Sequence, residues 1–130
     1  MPALLTELSR DRLLQASVEV FAAKGFQNGT VREICSKVGA NVASVNYYFG
    51  SKEKLYAEAL FFSFQQAEQR YPLTEAFDTS LTPQQRLTHF IRIFLNRILD
   101  DSALGHHGKL IAHEITDPTK ALDDIVQTFI

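Results

Sequence analysis

Tryptophan is absent from this 130-residue chain, and cysteine occurs once. The lone Cys35 excludes an internal disulfide and fits a reducing compartment. Glycine and proline are sparse, at six and four residues, while phenylalanine occurs ten times. That balance fits a helical protein with a phenylalanine-rich interior. Long apolar runs are missing too: stretches such as ALFFSF are far too short to span a bilayer. The opening MPALLTELSRDR carries acidic residues and no long apolar core, so it is not a secretory signal. The expected location is the cytoplasm. Neither sign of charge dominates, and a net charge of −2 argues against nucleic-acid binding over the whole surface. Residues 1–60 hold seven lysines and arginines against six acids, and residues 61–130 hold six against nine. The asymmetry has the sign of a DNA reader followed by an effector region, at a size random scatter also gives.

What is present is helical periodicity. The length leaves room for one domain, or one small domain plus part of another. Leu13, Leu14, Val18, Val20, Phe21 and Ala22 predict a first helix over Arg10–Lys24, stopped by Gly25. After the Asn28-Gly29 turn, Thr30 and Glu33 have capping-box spacing. Val31, Ile34, Cys35 and Val38 then line one face of a two-turn helix that ends at Gly39. Asn41 caps the next helix, with Val45 and Phe49 facing inward. Ser51 caps a long one from Lys52 to Arg70, whose apolar face includes Leu55, Leu60, Phe61, Phe62, Phe64 and Ala67. Residues 73–81 read as a mobile loop. Thr82-Pro83-Gln84-Gln85 starts a helix lined by Leu87, Phe90, Ile91, Phe94, Leu95, Ile98 and Leu99. Gly105 and Gly108 flank two histidines, Lys109–Ile115 reads as a short helix, and a last one follows Asp117-Pro118. It carries Leu122, Ile125, Val126 and Phe129 on one face and breaks off at Ile130 inside that stripe, which predicts a piece of a longer protein. No strand pattern occurs, so the fold class is all-α.

Residues 30–58 therefore read as two short helices joined by a glycine turn, then a longer helix. That is the layout of a helix-turn-helix, which places the start of its second helix in the DNA major groove. The residues TVREICSKVGANVASVNYYFGSKEKL, with Phe21, Gly25 and Phe26 before them, resemble the DNA-binding signature of the TetR family of bacterial transcriptional repressors. HHGKLIAHEITDPTKALDDIV, residues 106–126, further resembles its CecR-like subgroup. The resemblance implies a helix-turn-helix unit over residues 1–50, with Lys52 in the linking helix, and part of a helical regulatory domain over 51–130. It implies a homodimer in the full-length protein, a double-stranded palindromic operator, and a small-molecule effector that lowers operator affinity. Many members carry Lys and Gly where Val42 and Ala43 stand here, so operator preference does not carry over.

Within that layout, Asn46 suits a bidentate pair with adenine, Ser44 a base or phosphate, and Val42 and Ala43 thymine methyls. Tyr47 and Tyr48 offer hydroxyls to phosphate oxygens, with Tyr47 favoured because the other position more often supports the helix in the family. Thr30, Arg32 and Lys52 are the expected phosphate clamps, two of them at helix starts where backbone amides favour anions. An effector pocket is expected where Phe61, Phe64, Phe90, Phe94, Ile98 and Leu110 converge, with His106, His107 and His113 nearby. The four histidines lack metal-ligand spacing, and no nucleophile turn or phosphate loop occurs, so neither metal, cofactor nor catalysis is expected. The competing reading is a helical interaction module that does not bind DNA and docks a partner on the apolar face of residues 55–67.

Overall fold

The computed structural model describes residues 2–100 and 106–129. Seven α-helices follow one another, with no strand among the described residues. They are α1 (Pro2–Asn28), α2 (Val31–Val38), α3 (Val42–Tyr48), α4 (Lys52–Arg70), α5 (Pro83–Leu99), α6 (His106–Thr116) and α7 (Lys120–Phe129). No helix among the described residues is long and apolar enough to cross a membrane.

The caps fix the front of the molecule. The Thr30 hydroxyl accepts from the Glu33 amide, Asn41 Oδ1 from Ala43, and the Ser51 hydroxyl from Lys54. Each satisfies an amide left open by the first turn. The box at Thr30 is only half made, because the Glu33 carboxylate reaches across to Lys24 Nζ at 2.8 Å. At Thr82 both halves form, through Gln85. Gly39 takes the left-handed conformation expected of it, at φ 67°.

Helix α1 begins earlier than the periodicity predicts, at Pro2, and is broken at Gly25, which has φ 80° and ψ 174°. A side chain there would be strained, and its Cβ would stand 2.9 Å from His113 Nδ1. The kink thus lets α6 approach, and His113 Nε2 lies 3.0 Å from the Ala22 carbonyl oxygen. Phe21, Phe26 and Tyr56 pack as three rings with centroids 5.0–6.3 Å apart. One hydrophobic cluster runs from Leu13, Phe21, Ile34 and Val45 through Leu55 and Leu60 to Leu110 and Ile125, so the core crosses residue 50 without a break.

Glu114, His107 and Arg97 are buried in the rear. Glu114 is fully buried and accepts from the Tyr56 hydroxyl and from the amide and hydroxyl of Thr119. It joins α4 to α6 and to the start of α7, and burial, followed by this carboxylate, raises the Tyr56 pKa. His107 lies 3.2 Å from the Ser63 hydroxyl and meets the Phe64 ring edge to face at 4.5 Å. Burial, with Arg97 nearby, lowers its pKa to about 4. Arg97, 6% exposed, donates from Nε and Nη2 to the Tyr71 carbonyl at 3.0 and 2.8 Å and pairs with Glu68.

Several expectations are corrected. Residues 73–81 are not a featureless loop: Leu73–Phe77 forms a 3-10 helix that buries Ala76. Helix α6 starts at His106, not Lys109, and includes Gly108. A Cβ at Gly108 would sit 2.4 Å from the Ile98 carbonyl oxygen, so close packing of α6 on α5 outweighs glycine's poor helix propensity. Helix α7 starts at Lys120, with Thr119 accepting from the Ala121 amide. Gly105 and the Phe129 side chain lie outside the described residues.

Candidate nucleic-acid interface

Helix α3 rests on α2 and is anchored by buried Val45, with buried Phe49 just past its end. Period 3.6 then turns Val42, Ala43, Asn46 and Tyr47 to solvent. Tyr47 is 78% exposed and meets the Tyr48 ring edge to face at 4.9 Å, while Tyr48 is half-buried against the core. Ser44 is half-buried and lines a polar cleft with Ser9, Arg12, Asn41 and Tyr48. Thr30 and Arg32 are exposed at the start of α2. The Thr30 oxygen is an acceptor in its cap, so its O–H is left to donate. Lys52 does not stand free: its Nζ rests 4.6 Å above the Phe26 ring centroid, which fixes the cation at the start of α4.

Charge is sorted around this face. Glu33 and Glu19 pair with Lys24 and Lys37 at 2.8 and 3.7 Å. Among the described residues Arg12, Arg32 and Lys52 make no salt bridge. The arrangement is a small, polar-edged helix face with unneutralised cations beside it, fit to meet base edges and phosphates. Arg12 escapes the sequence reading. Its guanidinium lies 3.5 Å from the Val38 carbonyl, a neighbour 26 positions away that no local pattern signals. Cys35 lies on the buried stripe as expected, and burial raises its pKa.

The expected effector pocket is not assembled as predicted. Leu110 is fully buried in the main core, and His113 is held against Ala22. Phe90 and Phe94 stack at 6.0 Å on the outer face of α5, both exposed. His106 and Ile98 are half-buried, and it is His107 that meets Phe64. Phe61 lines one cleft, with Arg10, Leu14 and Phe62, and Phe64 another. The aromatic stripe of α5 shares a face by period, and that face is exposed. The Phe64 cleft, about 460 Å³, is walled by Leu73, Phe77, Leu122, Ile125 and Val126 and carries Glu68 and Arg97.

Residues 13–59 match the family described as bacterial regulatory proteins, tetR family, and residues 83–130 match the carboxyl-terminal domain of HTH-type transcriptional dual regulator CecR. The chain is 37% identical over 86 residues to the HTH-type transcriptional repressor NicS of Pseudomonas putida, covering 64% of this chain and 38% of that protein. It is 31% identical over 120 residues to the HTH-type transcriptional repressor KstR2 of Mycolicibacterium smegmatis, covering 91% of this chain and 53% of that one. It is similar to the crystal structure of a candidate transcriptional regulator from Pseudomonas aeruginosa PAO1, with TM-score 0.61 and 26% identity, covering 94% of this chain and 58% of the other. The chain thus spans about half the length, or less, of the two repressors it matches.

Proposed function

We propose that the chain, whose residues 13–59 match the tetR family of bacterial regulatory proteins, is a sequence-specific transcriptional regulator that binds a palindromic operator as a homodimer. It acts as a repressor in the cytoplasm, and a small-molecule effector lowers its operator affinity. Residues 1–50 read DNA, with Lys52 in the linking helix, and residues 51–130 carry part of the switching apparatus. The observation that carries the reading is α3, a capped helix anchored by Val45 that leaves Val42, Ala43, Asn46 and Tyr47 exposed. Asn46 pairs with a base, Ser44 with a base or phosphate, and Val42 and Ala43 touch thymine methyls. Tyr47, Thr30, Arg32 and Lys52 hold phosphates, with Tyr48 supporting the helix. Arg12 joins them, its cleft bordering the start of α3. Two relatives bear the name repressor, which supports the sign of regulation.

The interaction-module reading loses its docking face. Leu55, Ala59, Leu60, Ser63 and Ala67 are buried within the protein and not offered to a partner. A mobility-shift assay with the DNA upstream of the protein's own gene tests the DNA reading. Asn46→Ala is expected to lose about 1–3 kcal/mol of discrimination at one or two base positions. Lys52→Ala is expected to weaken all sequences alike and flatten the salt slope by about one unit. Unchanged operator binding in both variants would refute the assignment.

A further inference from the structure

We propose that the cleft between α4, α5 and α7 binds an apolar monocarboxylate, with Arg97 exchanging the Glu68 carboxylate for that of the ligand. The inference rests on the effector reading for its consequence at the operator, but not for binding itself.

A cation held in an apolar setting demands a negative partner. Arg97 is 6% exposed, yet it sits among Phe64, Leu73, Leu122, Ile125 and Val126. A guanidinium offers five N–H donors. Nε and Nη2 are spent on the Tyr71 carbonyl and Glu68, whereas Nη1 donates to no described residue. Among the described residues, then, half of the planar fork that matches a carboxylate has no partner.

Glu68 is a replaceable partner. Its side chain is 45% exposed, and its remaining contact is a long 3.4 Å acceptance from the Leu73 amide. Rotating it into water exposes no buried carboxylate, and the cost of uncovering the buried guanidinium is offset only because the ligand carboxylate takes its place. A ligand carboxylate then gains both Nη1 and Nη2. The exchange is one negative charge for one, so the cleft stays neutral. A phosphate dianion would add charge, and an amine would face Arg97 directly. His107, kept neutral by burial, does not compete for the anion. The apolar walls take the remainder of the molecule, in a volume of about 460 Å³ that suits a small ligand.

Calorimetric titration of the full chain with 4-phenylbutyrate and with 4-phenylbutan-1-ol separates the carboxylate from the tail. The acid is expected to bind about tenfold more tightly than the alcohol. Glu68→Gln is expected to tighten the acid further and leave the alcohol unchanged. Arg97→Lys, which keeps charge but loses the fork, is expected to weaken acid binding and narrow the preference, leaving alcohol binding unchanged. Equal affinities for the two compounds, no binding of the acid to either wild type or Glu68→Gln, or weaker acid binding in Glu68→Gln would overturn the proposal. A mobility shift run in parallel keeps the two readings apart. Operator binding without acid binding rejects only the carboxylate site. Acid binding that leaves operator affinity unchanged rejects only the effector reading.

Discussion

Helices α3 and α5 are both amphipathic by sequence, yet they turn opposite faces to water. Helix α3 buries Val45 and exposes small and polar residues around Asn46. Helix α5 exposes Leu87, Phe90, Ile91, Phe94, Leu95 and Leu99, and of its residues only Ile93 and Arg97 are buried. The front of the molecule is built as a small domain usually is, with an apolar core and helix ends satisfied by nearby side chains. The rear is held by buried polar groups, among them Arg97, His107 and Glu114, and by backbone brought close at Gly108. An apolar stripe therefore predicts a surface that seeks cover, but not that this chain's own helices supply it.

The seam between α5 and α6 is the place to break this division most severely. Gly108→Ala forces a methyl against the Ile98 carbonyl oxygen. It is expected to cost about 3 kcal/mol or more in a denaturant melt, since overpacking against backbone has little room to relax. A loss below about 0.5 kcal/mol, the usual range for surface changes, would show that the seam is not tight.

The sealed histidine sharpens the same contrast through pH. The folded pKa of His107 is about 4, against 6.5 for an ordinary histidine. Between those values the unfolded chain takes up a proton that the folded one does not. Stability conferred by this site is therefore lost as pH falls through that window, by about 2 kcal/mol between pH 7 and 5. Melts across this range should show the loss, and His107→Gln should flatten it. An unchanged slope in the variant would assign the pH dependence elsewhere.

The smallest effect belongs to the exposed stripe. Phe94→Ala, at a position 47% exposed, should alter the melting free energy of this chain by no more than about 0.5 kcal/mol. A loss of about 2 kcal/mol or more, the range of a buried site, would mean that the stripe is covered in solution. Gel filtration of the same samples would then show whether a second copy covers it.

The front unit was legible because its signals are local. Thr30, Asn41 and Ser51 cap amides two or three residues away, and Gly39 ends α2 as its position implies. The outward face of α3 follows from one buried anchor and the helical period. The effector pocket was not legible. Period placed Phe90 and Phe94 on one face but could not say that the face is exposed. Arg12 was missed because its neighbour is the Val38 carbonyl, which belongs to another helix.

By itself, then, the sequence determined where most helices lie, the caps at Thr30, Asn41, Ser51 and Thr82, and which residues α3 turns to solvent, since each depends on contacts within a turn or two. Only the tertiary structure decided which ionisable groups are buried and what they hold. The reason is distance along the chain. Tyr56 meets Glu114 across 58 positions, Ser63 meets His107 across 44 and Ala22 meets His113 across 91. No periodicity reaches that far, so the burial of Arg97, His107 and Glu114 in the rear half had no signal in the local pattern.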